Sequence, residues 1–100
     1  MRIISDSRLR AASAKYPNAQ PSVRAWIKIT KFANWHSLDD TRQTFPSADL
    51  VGNLTVFNIA GNNYRLITLI DYRQRKVFIR HFLTHAEYDK GRWQDDSWNQ

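Results

Sequence analysis

The sequence predicts an α+β domain in which two N-terminal helices pack on one face of an antiparallel β-sheet and a short C-terminal helix follows. Three observations carry this expectation. From Leu54 to Lys90, segments rich in Val, Ile, Phe, Tyr and Thr alternate with the polar breaks Gly61-Asn62 and Arg73-Gln74-Arg75, the pattern of a three-stranded meander. The segment Tyr64 to Tyr72 is apolar on both sides of its two-residue period, as a central strand requires. Upstream, Val23, Trp26, Ile27 and Thr30 recur at helical spacing and form a single inward stripe.

In chain order, Arg2 to Ser5 reads as a short first strand. Ser5 or Asp6 then caps a helix to about Tyr16, with Leu9, Ala12 and Tyr16 on one side. Pro17-Asn18 ends it, and Pro21 suits the first turn of a second helix to about His36, with Arg24, Lys28 and Lys31 directed away from the stripe. Ser37-Leu38-Asp39-Asp40 has the form of a capping box with Asp in place of Glu, so a short helical segment precedes Phe45-Pro46. Ser47 to Asn53 is a connection.

Gly61 and Asn62 both tolerate positive φ, and a turn there sets Ile59 opposite Tyr64 and Asn58 opposite Arg65. If the next connection also has an even number of residues, Val56, Asn58, Arg65, Ile67, Leu69, Phe78, Arg80 and Phe82 share one face. Phe57, Ile59, Tyr64, Leu66, Thr68, Ile70, Val77, Ile79, His81 and Leu83 share the other. The second set is almost wholly apolar and is expected to meet the helices. The first gathers Asn58, Arg65 and Arg80 among aromatics, as a site would. Beyond Gly91 the tail is polar except for Trp93 and Trp98, and is expected to be loosely held unless those rings dock on the sheet.

A chain of 100 residues with 42% hydrophobic content supports one domain, residues 1–100, with one core. With no cysteine there is neither a disulfide nor a thiolate-based zinc site, and a reducing cytoplasm is the default. The opening residues are too polar for a signal peptide, and no apolar run approaches the ~18 residues needed to span a bilayer, so a soluble protein without a membrane partner is expected. The net charge of +6 is a bias toward polyanions, which release counterions when Lys and Arg bind them, or else a merely solvated cationic surface. Three histidines without a metal-ligand spacing give no metal signal, and neither a glycine-rich phosphate loop nor a Gly-x-Ser-x-Gly elbow occurs. No metal or cofactor is expected.

Arg65 and Arg80 are the sharpest candidates. A guanidinium in mid-strand among apolar neighbours loses solvation unless an anion meets it, so each either holds a phosphate or pairs internally with Asp71 or Glu87. His85 and Tyr88 stand where the last strand gives way to a helix, and both side chains can pass a proton. Alternatively, Thr84-x-x-Glu87 is a capping box and His85 an exposed first-turn residue. Asn58 either binds a base edge or ribose or satisfies the nearby turn. Lys90 and Arg92 either neutralise phosphates or are simply solvated. His81, on the apolar face, reads as a hydrogen-bonded core histidine.

These segments also carry a family resemblance. Phe57-Asn58, Gly61-Asn62, Tyr64-Arg65-Leu66-Ile67, Phe78-Ile79-Arg80 and Thr84-His85-x-Glu87-Tyr88-Asp89 resemble the HigB family of bacterial toxins within the wider RelE-like group, and the opening βαα portion, Phe45-Pro46-Ser47 and the length fit as well. The resemblance implies an mRNA interferase that cuts mRNA, with the ribosome as an expected partner, until a HigA-like helix-turn-helix antitoxin silences it. The resemblance favours RNA contact for Arg65 and Arg80 and a site role for Tyr88; with the residue chemistry above, the assignment is Arg65 and Arg80 on the phosphate, His85 and Tyr88 as proton-transfer or base-stacking groups, and Asn58, Lys90 and Arg92 as RNA contacts. The competing reading is a small basic RNA-binding module without catalysis, with Phe78, Phe82 and the arginines as a stacking platform.

Overall fold

The computed structural model describes residues 1–99. Strand β1 (Arg2–Ile4) leads into helices α1 (Asp6–Ser13), α2 (Gln20–Phe32) and α3 (Leu38–Thr44). Strands β2 (Asp49–Val51), β3 (Leu54–Ile59), β4 (Tyr64–Asp71) and β5 (Lys76–Thr84) follow, then helix α4 (His85–Asp89) and a 3₁₀ turn at Arg92–Asp95. The sheet order is β1-β5-β4-β3-β2. Its neighbours run antiparallel, except that β1, separated from the rest by the helices, lies parallel to β5.

The α+β class is as the sequence predicts, and α2 shows why. Pro21 sits in its first turn, where a missing N–H costs nothing, and Val23, Trp26, Ile27 and Thr30 are all buried. Trp26 and Ile27 share one cluster with Leu66, Val77 and Ile79 of the sheet, and the Trp26 ring meets Phe57 edge-on at 5.3 Å. Each such fully buried side chain contributes about 1.5–3 kcal/mol relative to exposure.

The helices are shorter than expected. α2 stops before His36 because Ala33 is extended, which sends Trp35 into the core with its indole N–H donating to Thr44 Oγ1 at 3.0 Å. α1 stops before Tyr16, and Ser5 enters it at φ 70 without a side-chain cap bond. Ser37 Oγ does accept from Asp40 N, but the Asp40 carboxylate reaches back to His36 N instead of Ser37 N. The expected connection from Ser47 to Asn53 contains edge strand β2.

The first hairpin has the expected register, Asn58 opposite Arg65 and Ile59 opposite Tyr64. The positive φ angles fall at Ala60 and Gly61, one residue earlier than the Gly61-Asn62 reading. Between β4 and β5 the pairing Asp71 to Lys76 leaves an even connection, and the expected alternation holds up to Ile79. There it breaks. Thr68 pairs with Ile79 and Ile67 with His81, so Arg80 is the extra residue of a β-bulge. One extra residue inverts every side chain beyond it. Phe82 therefore packs with Tyr64 on the helix side, while His81 and Leu83 turn to the outer face with Arg80. The core position assigned to His81 and the outer position assigned to Phe82 are both corrected by this bulge.

The outer face is not bare. The tail folds back over it, Trp93 is 5% exposed, and it forms a second small cluster with Leu54, Val56 and Ile67. The Trp93 indole N–H donates to Tyr88 O at 3.0 Å, which fixes the ring over the sheet.

Candidate active site

Two strands and the tail build the outer-face site. Arg80 and His81, consecutive in sequence, project to the same side only because the bulge places them so. Both meet Asp96, just after the 3₁₀ turn. Arg80 Nε and Nη2 donate to the two Asp96 carboxylate oxygens at 2.9 and 2.8 Å, a bidentate pair. His81 Nε2 lies 2.7 Å from Asp96 Oδ2, and Trp98 N donates to Oδ1 at 2.9 Å. The Asp96 side chain is only 2% exposed. Hydrogen bonds from Arg80 chiefly, with lesser ones from Trp98 N and His81, hold its acid far below the usual carboxylate range despite the opposing effect of burial. The Trp98 ring lies 3.9 Å from the Arg80 guanidinium and edge-on to Phe78.

Arg65 is 8% exposed, and its guanidinium turns to oxygens of its own chain, donating to Asn62 O at 3.2 Å, Tyr64 O at 3.1 Å and Asn62 Oδ1. Its carbon centre is 5.3 Å from the Tyr88 ring centroid. Among the described residues it has no carboxylate partner, so its positive charge is hydrogen-bonded but not neutralised. The internal pairings considered from sequence do not form: Asp71 accepts from Gln74 N in the turn, and Glu87 caps α4. Arg80 does pair internally, with a residue the sequence reading left in the tail.

A recess of about 310 Å³ opens beside this cluster, lined by His81, Leu83, Glu87, Lys90, Arg92 and Trp93. The Thr84–Glu87 capping box is complete and places Glu87 and Lys90 at its rim. His81, with 31% of its side chain exposed, is the imidazole in it. His85 is not among the lining residues; its Nδ1 lies 2.9 Å from Asp89 Oδ2 on the solvent side of α4. Tyr88 stacks on Trp93 with ring centroids 5.1 Å apart. Asn58 is exposed on β3 and borders a separate groove against α2.

The structure thus brings Lys90 and Arg92 together with His81, Glu87 and Trp93, and leaves Asn58 and His85 outside the recess. His81, Asp96 and the two tail tryptophans are the residues sequence reasoning missed. The available signal was the pair Trp93 and Trp98 flanking Asp95-Asp96 in an otherwise polar tail. No group of three or more His, Cys, Asp or Glu side chains suited to a metal ion occurs among the described residues.

A helix-backed sheet whose opposite face carries cations and an imidazole fits the class of RelE-like toxins. Residues 19–91 match the HigB toxin family, described as the RelE-like toxic component of a toxin-antitoxin system. An mRNA interferase HigB of Escherichia coli O6:H1 is 30% identical over 93 residues, with 90% of each chain covered. An mRNA interferase toxin HigB of Escherichia coli strain K12 is 29% identical over 92 residues, covering 89% of this chain and 88% of the relative, and an mRNA interferase HigB of Shigella flexneri matches to the same extent. The chain belongs to the HigB toxin family.

Proposed function

We propose that this toxin is an endoribonuclease that cuts mRNA at the outer face of its sheet, in the recess between β5 and α4. The observation that carries the reading is the recess itself, where one imidazole, two exposed cations, a carboxylate and an indole converge, with the un-neutralised charge of Arg65 on the neighbouring strand. Membership of the HigB family and the relatives named mRNA interferases support RNA as the substrate.

The reaction proceeds without a metal, by attack of a ribose 2′-hydroxyl on the adjacent phosphate. That path needs a proton acceptor, cations for the dianionic phosphorane and a proton for the departing 5′-oxygen. Lys90 and Arg92 meet the phosphates at the recess rim. Arg65 raises the local positive potential from the sheet, while Arg80, paired with Asp96, keeps only Nη1 outside that pair. Tyr88 and His85 at the start of α4 complete the RNA surface, with Asn58 at the hairpin edge. The protein acts in the cytoplasm on ribosome-bound mRNA, and a HigA-like helix-turn-helix antitoxin silences it through an acidic segment attracted to the same basic face.

Purified protein incubated with mRNA, with and without ribosomes, is the test. Cut products are expected, more abundant with ribosomes, and their loss on addition of the cognate antitoxin is expected too. Intact mRNA in both arms, from folded protein, contradicts the reading.

A further inference from the structure

The imidazole that packing predicts for the core stands instead at the mouth of the recess, tied to a buried carboxylate. An ionised carboxylate is acceptor-only, so the 2.7 Å contact with Asp96 Oδ2 means that His81 Nε2 carries a proton. Nδ1 is then the nitrogen left with a lone pair in the neutral ring. Arg80 and Trp98 N hold Asp96 from its other sides, so the carboxylate cannot follow the imidazole and instead fixes its tilt and tautomer. An aspartate of fixed position, a histidine of fixed tautomer and an open cavity beside it form the orienting half of a general-base site.

We infer that His81 is the proton acceptor of the cleavage reaction, and that Asp96 and Arg80 are positioning residues that act through it; the inference rests on the ribonuclease reading above. In the step, the 2′-oxygen bonds to phosphorus as its proton passes to His81 Nδ1. The bond from phosphorus to the 5′-oxygen breaks, and that oxygen takes a proton from solvent, which the open recess admits. The products are a 2′,3′-cyclic phosphate and a 5′-hydroxyl. Lys90 and Arg92 stand where they can meet the phosphorane charge, and Arg80, already bonded to Asp96, contributes less to it than its place in the strand suggests.

The charged groups that face His81 are Asp96, bonded to it, Arg80, which shares that carboxylate, and Glu87, Lys90 and Arg92, which line the same recess. Because the base must be neutral to accept a proton, single-turnover cleavage should fall toward acid pH.

The test compares wild type, His81→Gln, His81→Ala, Asp96→Asn and Asp96→Glu by single-turnover cleavage, with circular dichroism to establish folding. His81→Gln keeps a donor for Asp96 but cannot accept the proton, so its rate should fall about 10²- to 10⁴-fold and lose the imidazole limb of the pH profile. Added imidazole should restore part of the His81→Ala rate. Asp96→Asn should slow cleavage and move the acid limb of the pH profile, and Asp96→Glu should recover part of the rate. A folded His81→Gln protein that cleaves at the wild-type rate with an unchanged pH profile overturns the inference while leaving the ribonuclease reading intact. Wild type that cuts no mRNA overturns both.

Discussion

At the scale of single residues, Asp96 and Arg65 make opposite demands on the solvent. Asp96 is ionised and held by Arg80, so its acid is weaker in the unfolded chain than in the native one. The stabilisation it gives is complete above the ordinary Asp value of about 3.9 and is lost as pH falls from there through the lowered native value. The difference in melting temperature between wild type and Asp96→Asn is expected to shrink as pH falls below about 4, read by thermal denaturation across that range. Arg65 is a buried charge satisfied by carbonyl and amide oxygens, and Arg65→Ala leaves those acceptors without their donor. It should cost about 2–3 kcal/mol in urea unfolding, whereas Asn58→Ala, on the exposed partner position, should stay within about 0.5 kcal/mol. That both arginines need a partner was legible from their apolar neighbours. Which partner was not, because Asp96 lies 16 residues beyond Arg80 and nothing local pairs them.

At the scale of elements, the bulge at Arg80 decides the site. Period-two alternation assigned the apolar strand side chains from Val56 through Ile79 that enter the two clusters to the faces observed, and failed at His81, Phe82 and Leu83 for one shared reason. A bulge residue needs no special sequence, so nothing local to Phe78-Ile79-Arg80-His81 announces it. The capping box of α4 was legible, since Thr84 and Glu87 satisfy each other's backbone N–H groups. Thr84→Ala should cost about 1 kcal/mol and loosen the helix that carries Glu87 to the recess, visible as faster amide exchange in α4. Gly52 and Gly61 make a paired test of the tail's docking. Both have positive φ, so either Ala substitution is strained, but a Cβ at Gly52 would also collide with the Asn99 side chain. Gly52→Ala should therefore raise protease sensitivity of the last residues, and Gly61→Ala should not.

On the scale of the whole molecule, the chain has a large core under the helices and a small one under its tail. The large one followed from the stripe of α2 and the apolar face of the meander. The small one did not, because two tryptophans in a polar segment carry no period from which docking can be read. Trp93 is its keystone, and Trp93→Ala should lower stability by about 3–5 kcal/mol while dismantling the recess wall. The net charge of +6 should make RNA affinity fall steeply with salt, a slope that Lys90→Ala and Arg92→Ala each reduce. If the proposed recess formed by β5, α4 and the tail cleaves without a metal through the 2′-hydroxyl, end-group analysis of a defined mRNA cut by chelator-treated protein should find 2′,3′-cyclic phosphate ends at undiminished rate and no cleavage of an RNA with a 2′-deoxy residue at the cut site. Ends bearing a 3′-hydroxyl, or cleavage abolished by the chelator, would contradict that chemistry.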